Sequence, residues 1–238
     1  MKKRLFKFLK IFFGSLFAFL CIGVAILYFT LNEKLPEGLA GIEADNLALN
    51  IQKALKHDKY VNTNYIQWTF RNKNHYLWEK KSGKVTVKWE DYKVTLDLQS
   101  PDNSIAYKND ILLTAQEKED IIAKAFANFN NDSFWVVAPH KLFDQGVKRK
   151  IVNLEDGSKG LLISYASGGT TPGDSYLWKV DENYIPTSYQ MWVSIIPIGG
   201  IEATWNNWIT AESGVYLAQD HKLLGINIPI SNLRAWND

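Results

Sequence analysis

Apolar and polar positions follow three different rhythms along the chain. Residues 11–31, IFFGSLFAFLCIGVAILYFTL, carry no charge at all. A helix of about 20 apolar residues crosses the hydrocarbon core of a bilayer, so this run predicts a transmembrane anchor. In residues 42–60 the apolar positions Ala44, Leu47, Ala48, Ile51 and Leu55 recur every three to four residues, with Asp45, Asn50 and Lys53 elsewhere on the wheel. That spacing predicts an amphipathic helix with one apolar stripe, packed on a sheet; its polar face is too weakly basic for a membrane-surface helix.

From Tyr65 the period falls to two. Ile66, Trp68 and Phe70 alternate with Gln67 and Thr69, Val85, Val87 and Trp89 with Thr86 and Lys88, and Val94, Leu96 and Leu98 with Thr95 and Asp97. Each run predicts a strand with one buried face, and residues 75–79 supply one more. The breaks at 71–74, 82–83 and 90–91 are short and polar, so residues 65–99 form an antiparallel meander. A second helix follows, opened by Thr114 and Glu117 in the S/T-x-x-E relation, carrying Ile121, Ile122, Ala125, Phe126 and Phe129 on one face, and ended by the polar run 128–133. The next stretch, SFWVVAPHKLFDQGV, supports no assignment. Strand patterns return at 148–154 and 161–165 around the Asp156-Gly157 turn, at 176–180 and 185–194 around residues 181–184, and at 201–210 with 215–219.

The chain therefore reads as a basic flank (1–10), an anchor (11–31), a short linker (32–41) holding Pro36, Gly38 and Gly41, and one exported domain (42–238) without repeats or a composition break. The predicted fold class is α+β: a curved antiparallel sheet, or half-open β-barrel, with two or more covering helices behind one N-terminal transmembrane helix.

Charge sets the orientation. Lys2, Lys3, Arg4, Lys7 and Lys10 precede the span with no acid, while Glu33, Lys34 and Glu37 follow it. Basic flanks stay cytoplasmic, which puts the amino end inside and the domain outside. A cleaved signal peptide would have a shorter apolar core and a small-x-small site, which Thr30-Leu31-Asn32-Glu33 does not provide. Cys21, preceded by the large Leu20, fits an apolar mid-span residue better than a lipidation site. Of 27 Lys+Arg and 25 Asp+Glu, five bases precede the span, leaving 22 bases against 25 acids beyond it, a net charge of −3. A nucleic-acid partner is not expected of such a surface. With Cys21 the only cysteine, the domain has no disulfide, and roughly 200 residues can fold without one. A cysteine-free exported domain behind a basic anchor fits a bacterial inner-membrane protein facing the periplasm.

Candidate chemistry is sparse. The chain lacks a GxSxG elbow, a phosphate loop and an HExxH pair. His57, His75, His140 and His221 are too scattered to predict a metal site, and no cofactor is expected. The loop Ser167-Gly168-Gly169-Thr170-Thr171-Pro172-Gly173 resembles an anion cradle but has no lysine and no following helix, so it reads as a strand connection. Asp91, Asp97, Asp144 and Asp174 offer the only carboxylates considered for glycan hydrolysis, a lesser alternative to a non-enzyme.

Tryptophan stands out instead: nine residues, all beyond the span. Large rings fill the space between a curved sheet and its helices, or they line a concave face that admits an apolar ligand. On the second reading Trp78, Trp89, Trp178 and Trp192 are the candidate ligand-binding residues.

One helix after an export signal, a meander, a second helix, then hairpins with a strand ending in Val180-Asp181, a turn, Pro186 and a strand through Tyr189 resembles the half-barrel of the lipoprotein-localisation proteins LolA and LolB and their envelope relatives. The resemblance spans roughly residues 43–228 and implies a hollow, closed by helices, that holds acyl chains. It transfers no individual binding residue, and a retained anchor departs from those soluble or lipid-anchored carriers. The expected function is a membrane-anchored, extracytoplasmic binding module for a lipid, acyl chain or lipoprotein. The alternative is an envelope interaction protein with a filled core, whose protein partner the sequence does not name.

Overall fold

The computed structural model describes residues 2–166 and 173–238, so the loop 167–172 lies outside the described residues. Helix α1 (Lys2–Leu31) is followed by α2 (Ile42–Ala54), α3 (His57–Asn62) and α4 (Ala115–Val137). The strands are β1 (Tyr65–Phe70), β2 (Asn74–Glu79), β3 (Lys84–Trp89), β4 (Tyr92–Asp97), β5 (Ile105–Lys108), β6 (Ile111–Leu112), β7 (Val147–Asn153), β8 (Lys159–Tyr165), β9 (Ser175–Val180), β10 (Pro186–Trp192), β11 (Ile201–Thr204), β12 (Asn206–Thr210), β13 (Tyr216–Leu223) and β14 (Ile226–Trp236). They form one 14-stranded antiparallel sheet in the order β6-β5-β4-β3-β2-β1-β14-β13-β11-β10-β9-β8-β7, with β12 on β13. Its end strands β6 and β7 are not neighbours, so the curved sheet stays open. This is the α+β class that the hydrophobic pattern predicts, behind an apolar helix whose segment Phe12–Leu31 is long enough to cross a membrane.

The core lies on the face of the sheet that α4 covers. Burial alternates as strand geometry requires: Val85, Val87 and Trp89 of β3 are buried, while Lys84 and Lys88 are exposed. α4 reaches from β4 and β5 on one half of the sheet to β13 on the other. α2 packs on β7 and β8 through Ala44, Ala48 and Ile51.

The structure departs from the sequence reading at several places. The first amphipathic helix is two helices, broken where Lys56 takes a left-handed conformation (φ 55°). α4 does not end in the run 128–133 but continues to Val137, with the buried Asp132 of that run taking up Tyr76 and Asn74 as partners. Thr114 is its N-cap residue but makes no side-chain cap bond; Glu117 faces Lys108 instead, 3.4 Å away. Trp205 interrupts the predicted strand 201–210. β14 pairs with β1 and β13, and so joins the two halves of the sheet. Its register slips between Gln67 and Thr69, opposite Asn232, which sits at φ 53°, a conformation asparagine tolerates.

Residues 32–41, read as a linker, form a strap bonded to the sheet. Glu33 N–H donates to Gly199 O (3.0 Å), and the Trp192 indole N–H donates to Glu33 O (2.9 Å). Further on, Leu39 and Ile151 exchange both backbone hydrogen bonds. Gly38 lies so close to β7 that a Cβ there would sit 2.8 Å from Ile151 O.

Candidate functional site

The α4-covered face is lined with rings. Trp68 stacks on Tyr76 (4.6 Å between centroids), and Phe129 of α4 meets Trp78 edge-on (5.4 Å). On the other half, Trp178 is edge-on to both Tyr189 (4.9 Å) and Trp205 (5.1 Å), and Trp205 to His221 (4.5 Å). Edge-to-face pairs of this kind add about 0.5–1.5 kcal/mol each beyond area burial. Burial pushes the hydroxyl pKa of Tyr165, Tyr176 and Tyr189 above its usual value.

Three of the four candidate tryptophans share this face. Trp89 and Trp178 are 1 % exposed, and Trp78 is half-buried. Trp192 stands on the opposite face, packed against Val152, Leu162 and Leu177 and tied to the strap. The four therefore do not line one surface. The parity of β10 carried this signal: Tyr189 and Met191 point inward, so Gln190 and Trp192 point outward. Among the described residues, the indole N–H groups of Trp68, Trp78, Trp89 and Trp178 are buried without an acceptor.

α4 is fastened by one acid. Asp132, 3 % exposed, accepts hydrogen bonds from the Tyr76 hydroxyl (2.6 Å) and the Asn74 amide (2.8 Å). Burial raises its pKa, against the lowering effect of these donors. Sequence reasoning placed no function on Asp132, although an acid between Phe129 and Trp135 on an apolar helix face was the available signal. The two halves of α4 differ in burial. Phe129, Trp135, Val136 and Val137 are buried, whereas Ile121, Ile122 and Phe126 are only partly covered. These three leave partly covered apolar surface on α4, and the Lys124 ammonium lies 5.5 Å from the Trp89 ring.

The histidines fall in three places. His57 and His140 stack with Tyr60, His75 bonds Thr69 on the outer face, and His221 packs on Trp205. Burial lowers the His140 pKa to about 3 and that of His221 to about 4. Among the described residues no group of three or more His, Cys, Asp or Glu is placed to hold a metal. The carboxylates weighed for hydrolysis are used locally: Asp97 caps the turn at Gln99 and Ser100, Asp144 pairs with Lys141, Asp174 accepts from Ser194 N–H, and Asp91 is exposed in a turn. A groove of about 240 Å³ opens on the outer face over Gln67, Thr69, His75, Thr86, Lys88 and Asn232. The loop 167–173, read as a strand connection rather than an anion cradle, lies outside the described residues except for Gly173.

Fold and site together define an α+β domain on an open, curved antiparallel sheet, with an aromatic inner face closed by one long helix, behind an N-terminal helix long enough to span a membrane. No family model matches the chain, and no curated protein does. Among solved structures it is similar to the crystal structure of a DUF1329 family protein from Desulfovibrio piger, over 79 % of this chain and 92 % of that one, at 10 % identity and a TM-score of 0.39.

Proposed function

We propose that the chain is a bacterial inner-membrane protein, amino end in the cytoplasm, whose periplasmic domain binds a lipid, an acyl chain or the lipid moiety of a lipoprotein without catalysing a reaction. The observation that carries this reading is the partly covered apolar surface of Ile121, Ile122 and Phe126 on α4, the helix laid over the aromatic inner face. An acyl chain gains about 0.8 kcal/mol per buried CH₂, so a few methylenes under α4 offset modest displacement of the helix. The basic flank before the span supports the orientation.

Native mass spectrometry tests this on a soluble form starting at Asn32, purified from bacteria without detergent. Added mass equal to a lipid, lost in Phe126→Ala, is the expected outcome. A bare mass that survives incubation with phosphatidylethanolamine and phosphatidylglycerol vesicles refutes it. That result would favour the second reading, an envelope interaction protein, for which the full burial of Trp68, Trp89, Trp178 and Trp205 speaks: protein rings alone occupy those positions.

A further inference from the structure

The strap carries consequences for the end of the sheet where the chain leaves α1. α1 ends at Leu31, and the next residue, Asn32, still donates its N–H to Tyr28 O (2.9 Å). The Asn32 side-chain oxygen accepts from Gly199 N–H at 2.8 Å, and Glu33 N–H donates to Gly199 O at 3.0 Å. Gly200 (φ 82°) makes room for the pairing, since a Cβ there would fall 2.6 Å from the Glu33 side chain. With Phe12–Leu31 in the bilayer, Asn32 stands at its surface, and so does the glycine pair bonded to it.

Strand register shows what else lies at this level. Met191 pairs with Ile201, so the loop between β10 and β11 turns at this end of the sheet. Ala203 pairs with Leu223 and Leu223 with Ile226, so the β13–β14 turn lies at the same end, on strands about 5 Å apart. Both turns are apolar at their tips: Ile195 is 69 % exposed, Leu224 66 % and Ile226 65 %. Pro197 is exposed beside Ile195, and the exposed Lys34 and Lys222 flank the rim with positive charge. Exposed aliphatic tips on a polar domain, level with the end of a span and with Lys34 and Lys222 beside them, fit the apolar–anionic boundary of a lipid surface. The indole of Trp192, bonded to Glu33 O, sits where interfacial tryptophans collect.

We propose that the rim formed by residues 194–198 and 224–226 rests in the headgroup boundary of the bilayer that holds α1, so that the domain is docked on the membrane rather than swinging from it. The proposal rests on the membrane anchor read above and is independent of any ligand. The occupant is the lipid surface itself, argued from chain continuity: the rim is hydrogen-bonded to the first residue past the span.

The test uses the full chain in liposomes of phosphatidylethanolamine and phosphatidylglycerol. In a Cys21→Ala background, Ile195→Cys, Leu224→Cys and Asn183→Cys each carry an environment-sensitive fluorophore; Asn183 is exposed in the turn at the opposite end of β9 and β10. The expected result is blue-shifted emission at 195 and 224, with quenching by lipid bearing a shallow nitroxide at least about twofold above that at 183. Equal quenching at all three positions overturns the proposal. Labelling native Cys21 separates the two failures. Quenching there by a deep nitroxide with none at 195 and 224 sinks the rim alone, whereas an unquenched Cys21 sinks the anchor and the rim together. All three labelled positions are exposed, so the substitutions leave the core intact.

Discussion

The two faces of the sheet at β9 and β10 hold one tryptophan each, under very different cover. Inside, Trp178 is enclosed by Tyr189, Trp205 and the helix layer; outside, Trp192 packs on three aliphatic side chains and under the strap. The same residue type on the same pair of strands is structural core on one side and a tie to the strap that follows α1 on the other. Position, not residue type, decides what a tryptophan does here.

The comparison breaks if the two rings matter equally. Trp178→Ala removes a fully buried ring between two aromatic partners and should cost about 4 kcal/mol, read as a lowered urea midpoint of the soluble form. A next-largest effect belongs to the fastener of α4. Asp132→Ala leaves the Tyr76 hydroxyl, on a residue 2 % exposed, without its acceptor, at about 2–3 kcal/mol. In a Tyr76→Phe background the same change should cost clearly less, because the stranded donor is gone; an undiminished cost would mean that the bond does not hold the helix.

Acid sharpens the contrast between a filled inner face and a wet outer one. His140 and His221 are held neutral by burial, with pKa values about 3 and about 4 against an unfolded value near 6.5. Their folded values are depressed, so the unfolded chain takes up protons first: neither costs stability above pH 6.5, and both do as pH falls from there toward the folded values. At pH 5 each should have removed roughly 2 kcal/mol relative to pH 7.5. His221→Phe should abolish about half of the acid loss in denaturant titrations at the two pH values. A pH-independent midpoint would show that these imidazoles reach water.

Much of this architecture is readable from residue order. Period-two alternation located β1, β3 and β4, and the 3.6 period located α2 and the start of α4, because burial of one face dominates there. Three features escaped for physical reasons. β14 carries Pro229 and the φ-positive Asn232, which break its alternation, yet it is the strand that joins the two halves. α4 runs through Asn130, Asn131 and Asp132, a polar run that ends a solvent-facing helix but not one whose acid meets Tyr76 and Asn74 in the core. The strap is held by backbone hydrogen bonds at Glu33 and Leu39 and by isolated side-chain bonds at Asn32 and Trp192, which leave no periodic pattern to read. The candidate site was half legible: tryptophan abundance pointed to the inner face, and strand parity, applied to β10, would have removed Trp192 from it.

The smallest effect belongs to that outer ring. Trp192→Ala deletes a partly exposed side chain packed on Val152, Leu162 and Leu177, together with one indole hydrogen bond to Glu33 O. The expected cost is about 1 kcal/mol, a quarter of that at Trp178, because solvent already reaches part of the ring. Its distinctive consequence is local. The Glu33 amide, bonded to Gly199 O beside the lost indole, should exchange with solvent at least about tenfold faster, while the Leu39 amide, held on Ile151 farther along the strap, keeps its protection. Loss of protection at both amides would mean that the strap opens as one unit from β10 to β7. Unchanged exchange at Glu33 would mean that the glycine pair holds the chain to the sheet without help from the outer tryptophan.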